Sequence, residues 1–183
     1  MGAVLITPAN SYAVTLAEAK AQTRVDGTDD DTYLNGLIAA ASDHVEKYTG
    51  RSLGTQTWRL TTDGFTDEIR LPYGPVQSVT TVAYYDTAGA DQTLATGWGL
   101  DNTVDPARIV KNVDASWPAT QDRFDAVRIT YVTGYSTVPA PIKHAMLLLI
   151  GHWYEHREAV GESMAELPMA VDALLSNYRT YHL

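Results

Sequence analysis

Residues 28–50 read TDDDTYLNGLIAAASDHVEKYTG, and this stretch decides half of the fold. Leu34, Leu37, Ile38, Ala41, Val45 and Tyr48 recur at steps of three and four, which places them on one face of an amphipathic helix. The acids Asp29, Asp30 and Asp31 stand where the positive end of the helix dipole favours negative charge, and helix capping is their expected role. Gly50 is suited to end the helix in the left-handed conformation. A calcium loop would need oxygen ligands at alternating positions, a central glycine and a terminal glutamate, whereas these three acids are consecutive.

Moving toward lower numbers, Thr15-Leu16-Ala17-Glu18 has the form of a capping box, so a first helix is expected from there to about Arg24, stopping near Asp26 and Gly27. The apolar run at residues 1–6 is too short for a secretory signal and lacks its basic start. In the other direction, the pattern changes at residue 55. Short runs rich in Thr, Val, Ile, Tyr and Trp alternate with Gly, Pro, Asp and Asn as far as residue 135. They predict strands at Gln56–Thr62, 68–71, Val76–Tyr85, 92–94, 107–110 and 127–132. Asp86-Thr87-Ala88-Gly89 predicts a hairpin turn, and Pro72, Gly74 and Pro75 a rigid corner. Gly97-Trp98-Gly99 reads as a loop carrying an aromatic.

Pro139 and Pro141 open a third helix, whose stripe is Ile142, Ala145, Met146, Leu149 and Trp153. Leu147, Leu148 and Ile150 extend its apolar surface almost all round, so this helix is expected at the centre of the body or under a neighbouring subunit, and to run to Arg157. Residues 159–166 read as a loop, and Pro168 starts a last helix carrying Val171, Leu174, Leu175 and Tyr178. The predicted class is α+β: two helices at each end form a helical body, residues 1–54 and 137–183, around an inserted antiparallel β domain at 55–136.

Composition narrows the function. The 183 residues include no cysteine, which excludes disulfides, thiolate metal sites and cysteine nucleophiles. The net charge of −9 is opposite in sign to what a phosphate-gripping protein carries, so sequence-specific DNA binding is not expected. No apolar run approaches the roughly 20 residues that span a bilayer, and no membrane contact is expected. No nucleophile elbow, phosphate loop or dinucleotide fingerprint occurs. His152 and His156 stand one helical turn apart with Glu155 between them, the spacing of a two-histidine clamp. The hydrolytic zinc motif has Glu directly after the first His, and here that position is Trp153. A third ligand would have to be His144 or His182. Histidines at the edge of a packed helix or at a subunit contact are the simpler reading, so no catalytic residue, metal or cofactor is expected. The acidic pairs Asp63 with Asp67 and Glu155 with Glu158 read as solvated.

A chain-long resemblance goes further. Leu16 to Lys20, Arg24-Val25-Asp26, the Asp triplet, Leu37 to Ala41 and Val45 to Arg51 resemble the opening of phage head–tail connector proteins, the portal-docking adaptors also found in gene transfer agents. Gln56-Thr57-Trp58, Leu71-Pro72, Pro75-Val76 and Ser78-Val79 continue it. Tyr131, Gly134-Tyr135, Val138-Pro139, Ile142-Lys143, Ala145, His152-Trp153-Tyr154, Arg157-Glu158, Leu174-Leu175 and Tyr178-Arg179 complete it in the same order. Gln22-Thr23 and Gly74 depart from the pattern locally. The resemblance implies a structural virion subunit that forms a ring beneath the portal protein, joins head to tail at the head–tail interface, and is made in the host cytoplasm. Its partners would be the portal, neighbouring copies of itself, and a stopper or tail-terminator protein. DNA would pass through the lumen, and an acidic wall there would repel it. It further implies portal contacts at the far end of the chain, carried to Leu174, Leu175, Tyr178, Arg179 and Tyr181. Packing of the two leucines on the chain's own core is the equal alternative. Two other functions fit less well: a tail-side stopper or completion protein, and a metal hydrolase built on His152 and His156.

Overall fold

The computed structural model describes residues 2–156 and 169–180. The expected loop at 159–166, the helix-opening Pro168, the helical extension to Arg157, and Tyr181 and His182 lie outside the described residues. The chain divides into two compact units, one β and one helical, and the fold class is α+β as the sequence predicts.

The helical unit takes in residues 11–54 and the described part of 136–181. Its first helix, α1 (Leu16–Thr23), starts at the predicted box: Glu18 N–H donates to Thr15 Oγ1, and Thr15 N–H donates to Glu18 Oε2. Helix α2 (Asp31–Thr49) buries Leu34, Ile38, Ala41 and Val45 along the predicted stripe and ends at Gly50, whose φ of 68° is left-handed. Helix α3 (Ala140–Glu155) packs against α1, α2 and α4 (Met169–Leu175), the last followed by a single 3-10 turn at Ser176–Tyr178. The expected central position of α3 is therefore met inside this unit. Ile142, Ala145, Met146, Leu149 and Ile150 are buried, while Trp153 is only partly so.

The acidic triplet departs from expectation. Asp30 occupies the N-cap position of α2, but its side chain makes no capping hydrogen bond. Its Oδ2 instead accepts from Tyr154 Oη at 2.5 Å, and Asp31 Oδ1 pairs with Lys20 Nζ at 2.5 Å. These acids tie α2 to α3 and α1. Only their position in the field of the helix N-terminus matches the capping role.

The β unit takes in residues 55–135 together with the first ten. A five-stranded sheet runs in the order β1 (Gly2–Thr7), β2 (Gln56–Thr62), β8 (Val127–Thr133), β4 (Val76–Tyr85), β5 (Asp91–Thr93), antiparallel throughout. A second sheet of three strands runs β3 (Glu68–Arg70), β7 (Arg108–Lys111), β6 (Trp98–Asp101), also antiparallel. One apolar cluster joins them: Leu60, Val82, Ile129 and Tyr131 from the larger sheet meet Ile69 and Ile109 from the smaller. Strand β8 shows why sandwich cores alternate, since Val127, Ile129, Tyr131 and Thr133 are buried and the residues between them are half-exposed.

Two strands correct the sequence reading. Gly2–Thr7, left without a strand and placed with the helical body, pairs with β2 in the five-stranded sheet. Trp98–Asp101, read as loop, pairs with β7. The Asp86 turn is as predicted: Gly89 has φ 82°, and Asp86 Oδ1 accepts from the N–H groups of Ala88 and Ala90. In the corner between β3 and β4, Tyr73 stacks on Trp58 at 4.0 Å between ring centres, and Tyr131 Oη donates to the Pro72 carbonyl.

Candidate functional site

Of the portal-contact residues implied by the resemblance, Leu174, Leu175, Tyr178 and Arg179 are described and sit at the end of α4 and just beyond it. Leu175 and Val171 are fully buried in the helical unit. Leu174 and Tyr178 are half-buried, and Arg179 is exposed. The segment after α4 is laid against the end of α2 by backbone chemistry. Thr180 donates to the Thr49 carbonyl through both its N–H and its hydroxyl, each at 2.8 Å. Arg51 Nε donates to the Tyr178 carbonyl at 2.6 Å. The carbonyls at a helix C-terminus have no intrahelical partner, so this strap satisfies acceptors that α2 leaves open. Arg179 places its guanidinium 5.3 Å from the centre of the Tyr48 ring, and Tyr48 Oη hydrogen-bonds the Asp172 carboxylate.

The named residues thus differ in kind. Leu175 packs on the chain's own core, and Leu174, Tyr178 and Arg179 are at least partly available at the surface. Helical spacing alone could not make that division, because α4 is short and both leucines follow Val171 at three and four residues.

His152 and His156 stand as their spacing predicts, with ring centres 4.6 Å apart. His156 Nδ1 lies 3.0 Å from the His152 carbonyl oxygen, so that nitrogen is engaged by backbone. Among the described residues, no group of three or more His, Cys, Asp or Glu side chains is arranged to hold a metal ion. No helix among them is long and apolar enough to cross a membrane.

Charge on the β unit is organised as a cross-strand ladder on the small sheet. Arg108 Nη1 meets Glu68 Oε2 at 2.7 Å and its Nε meets Asp101 Oδ2 at 3.1 Å, so one cation on the central strand bridges both outer strands. Hydrogen bonds from Arg108 and Arg70 hold the Glu68 carboxyl below its usual range; Thr103, then Arg108, do the same for Asp101. Both carboxylates are paired and ionised at neutral pH, which suits structure better than proton transfer.

A family model described as head completion protein matches residues 13–181. The chain belongs to that head completion protein family. It also resembles, along its entire length, solved chains from gene transfer agent particles. One, from the neck of an empty GTA particle computed with C6 symmetry, is 24% identical with a TM-score of 0.80 and speaks for the fold alone. Another, from the virion of a native gene transfer agent particle, is 26% identical with a TM-score of 0.78. A third, from the neck of a native GTA particle computed with C12 symmetry, is 27% identical with a TM-score of 0.74. In each case all of this chain and 97% of the other are covered. No curated protein sequence matches significantly.

Proposed function

We propose that this head completion protein is a structural head–tail adaptor that forms a ring beneath the portal, extends the DNA channel and joins head to tail. The supporting observation is the family match over residues 13–181, joined to full-length likeness to a chain from the neck of a native GTA particle computed with C12 symmetry. A ring of about twelve copies follows by analogy, since closed cyclic symmetry is the usual way one subunit surrounds a channel. Residues 11–54 with the described part of 136–180 act as the helical body, the β-rich stretch is its insertion, and the end from Met169 onward is the portal-docking part. Within that end, Leu174, Tyr178 and Arg179 are the contacts, with Tyr181 beyond them, while Leu175 anchors the segment to its own unit. The net charge of −9 fits a channel wall that DNA passes without binding. The protein's place is the head–tail interface of the virion, reached after synthesis in the host cytoplasm, and its role is structural.

The test is direct. Purified protein mixed with its cognate portal and imaged by electron microscopy should show rings seated on the portal. Absence of binding across a range of salt concentrations overturns the reading, and association with tail components alone favours a tail-side completion protein instead.

A further inference from the structure

Strand β1 is an edge that the fold leaves undefended. It is outermost in its sheet, and among the described residues nothing pairs with its far side. Natural sheets blunt such edges with charges, prolines or very short strands. Here six residues, GAVLIT, carry no charge, and Val4, Leu5 and Ile6 remain 56%, 40% and 46% exposed. A row of unpaired amides and carbonyls beside three exposed aliphatic side chains is a template for strand addition.

The same sheet has a second opening on its opposite side. Strand β5 covers β4 only at residues 83–85, with Leu94 N–H donating to the Val82 carbonyl just before them. The preceding half of β4, residues 76–81, has no strand partner on that side among the described residues. Its sequence, VQSVTT, is as long as β1 and equally free of charge, with Gln77, Ser78 and Thr80 exposed. Direction agrees as well. Along the order β1, β2, β8, β4 every pairing is antiparallel, so β1 and β4 run in opposite senses. A β1 strand from another copy, added beyond β4 in the same sense as its own β1, would be antiparallel to it and would continue the line that β5 begins. Register shifts at Val76/Ser78 and Val79/Thr81 twist this half of β4, so an added strand pairs with it over only a few residues.

We infer that β1 of one copy adds to the open half of β4 of the next copy, making a sheet continuous from subunit to subunit. The inference rests on the ring reading, because only a cyclic assembly of more than two copies requires two different, mutually complementary faces on each subunit. It goes beyond that reading by naming the faces. Pairing of β1 with β1 would be two-fold and would stop at a dimer.

The chain's lack of cysteine makes the test clean. Double variants Val4→Cys with Ser78→Cys and Val4→Cys with Thr80→Cys, and the single Val4→Cys, are oxidised under assembly conditions, with ring formation followed in parallel by electron microscopy. Directly opposed strand residues approach closely enough for a disulfide, so at least one double variant should give a ladder of covalent oligomers on a non-reducing gel. The single variant should give none. Covalent dimer from the single variant at equal yield overturns the inference in favour of two-fold pairing. Rings that form without cross-links in either double variant overturn it while leaving the ring reading intact, and absence of any ring overturns both. Leu5→Lys supplies the independent readout. It should leave the thermal midpoint within about 2 °C, because the site is exposed, yet raise the concentration needed for ring formation roughly tenfold or more. Unchanged assembly by this variant counts against the junction.

Discussion

Glu18 and Lys143 meet at 2.5 Å, and the same carboxylate closes the capping box with Thr15, so one side chain both starts α1 and fastens it to the first turn of α3. The hydrogen bond from Lys143, followed by those from Thr15, lowers the Glu18 pKa to about 2 from an ordinary value of 4.5. Above pH 4.5 the group is ionised whether the chain is folded or not, and its full contribution is present. As the pH falls from 4.5 toward 2 the unfolded chain takes up a proton that the folded one refuses, and the contribution is lost. Glu18→Ala should cost about 1 kcal/mol at neutral pH, the usual worth of a cap, with a surface ion pair adding little. It should also flatten the acid limb of stability between those pH values. Urea unfolding of both proteins from pH 2 to 7 measures this, and an unchanged acid limb would show that the pairing is not maintained in solution.

The division among the residues after Met169 has a separable consequence. Leu175→Ala removes fully buried methyl groups and should destabilise by about 2–4 kcal/mol, with a thermal midpoint several degrees lower. Arg179→Ala removes an exposed guanidinium whose packing over Tyr48 is worth about 0.5–1 kcal/mol. It should leave stability close to the parent and lower affinity for the portal. If instead Arg179→Ala binds the portal as the parent does, the portal-facing surface lies elsewhere.

Zinc or nickel should leave the protein unchanged. Stabilisation by a metal needs a site that the folded state holds and the unfolded state lacks. His152 and His156 offer two ligands on one helix, and His156 Nδ1 is already against a backbone carbonyl. Differential scanning fluorimetry with and without metal and chelator should show shifts below about 1 °C, because no closed ligand set exists among the described residues. A larger shift that a chelator reverses would revive the hydrolase reading.

How much of this was legible beforehand depended on the range of the interactions involved. Thr15 with Glu18, Gly50 and the Asp86 turn are local devices, and the elements they bound were readable because the signal and the structure it makes lie within four residues. Strand β1 was missed because its partner is β2, fifty or more residues later, and its apolar run shows no alternation to announce it. Strand β6 was missed because Gly97 and Gly99 flank Trp98 and read as loop. Pairing with β7 holds Trp98 and Gly99 in the strand, Gly97 turns just before it with φ 90°, and Trp98 Nε1 donates to the Leu94 carbonyl. Asp30 looked like a cap, and Tyr154, more than a hundred residues away, takes its carboxylate instead. At the end proposed to face the portal, periodicity marks Leu174 and Leu175 alike as apolar. Only packing assigns Leu175 to the interior.

Tyr131 tests the corner that joins the two sheets. It is the largest fully buried side chain of the β unit, and burial pushes its phenol pKa upward, so it stays protonated and serves as a donor. Its hydroxyl spans from β8 to the Pro72 carbonyl at 3.1 Å, beside the stacked pair Trp58 and Tyr73. Tyr131→Phe keeps the ring and its packing but removes that donor, leaving a carbonyl short of a partner in an apolar setting. The expected loss is about 1 kcal/mol, read as a lower denaturation midpoint with an unchanged slope against denaturant. Tyr131→Ala would open a cavity as well and should cost about 3–5 kcal/mol. Equal losses for the two variants would mean that the hydroxyl, and not the ring, carries the contribution of this residue, which the burial of the whole side chain argues against.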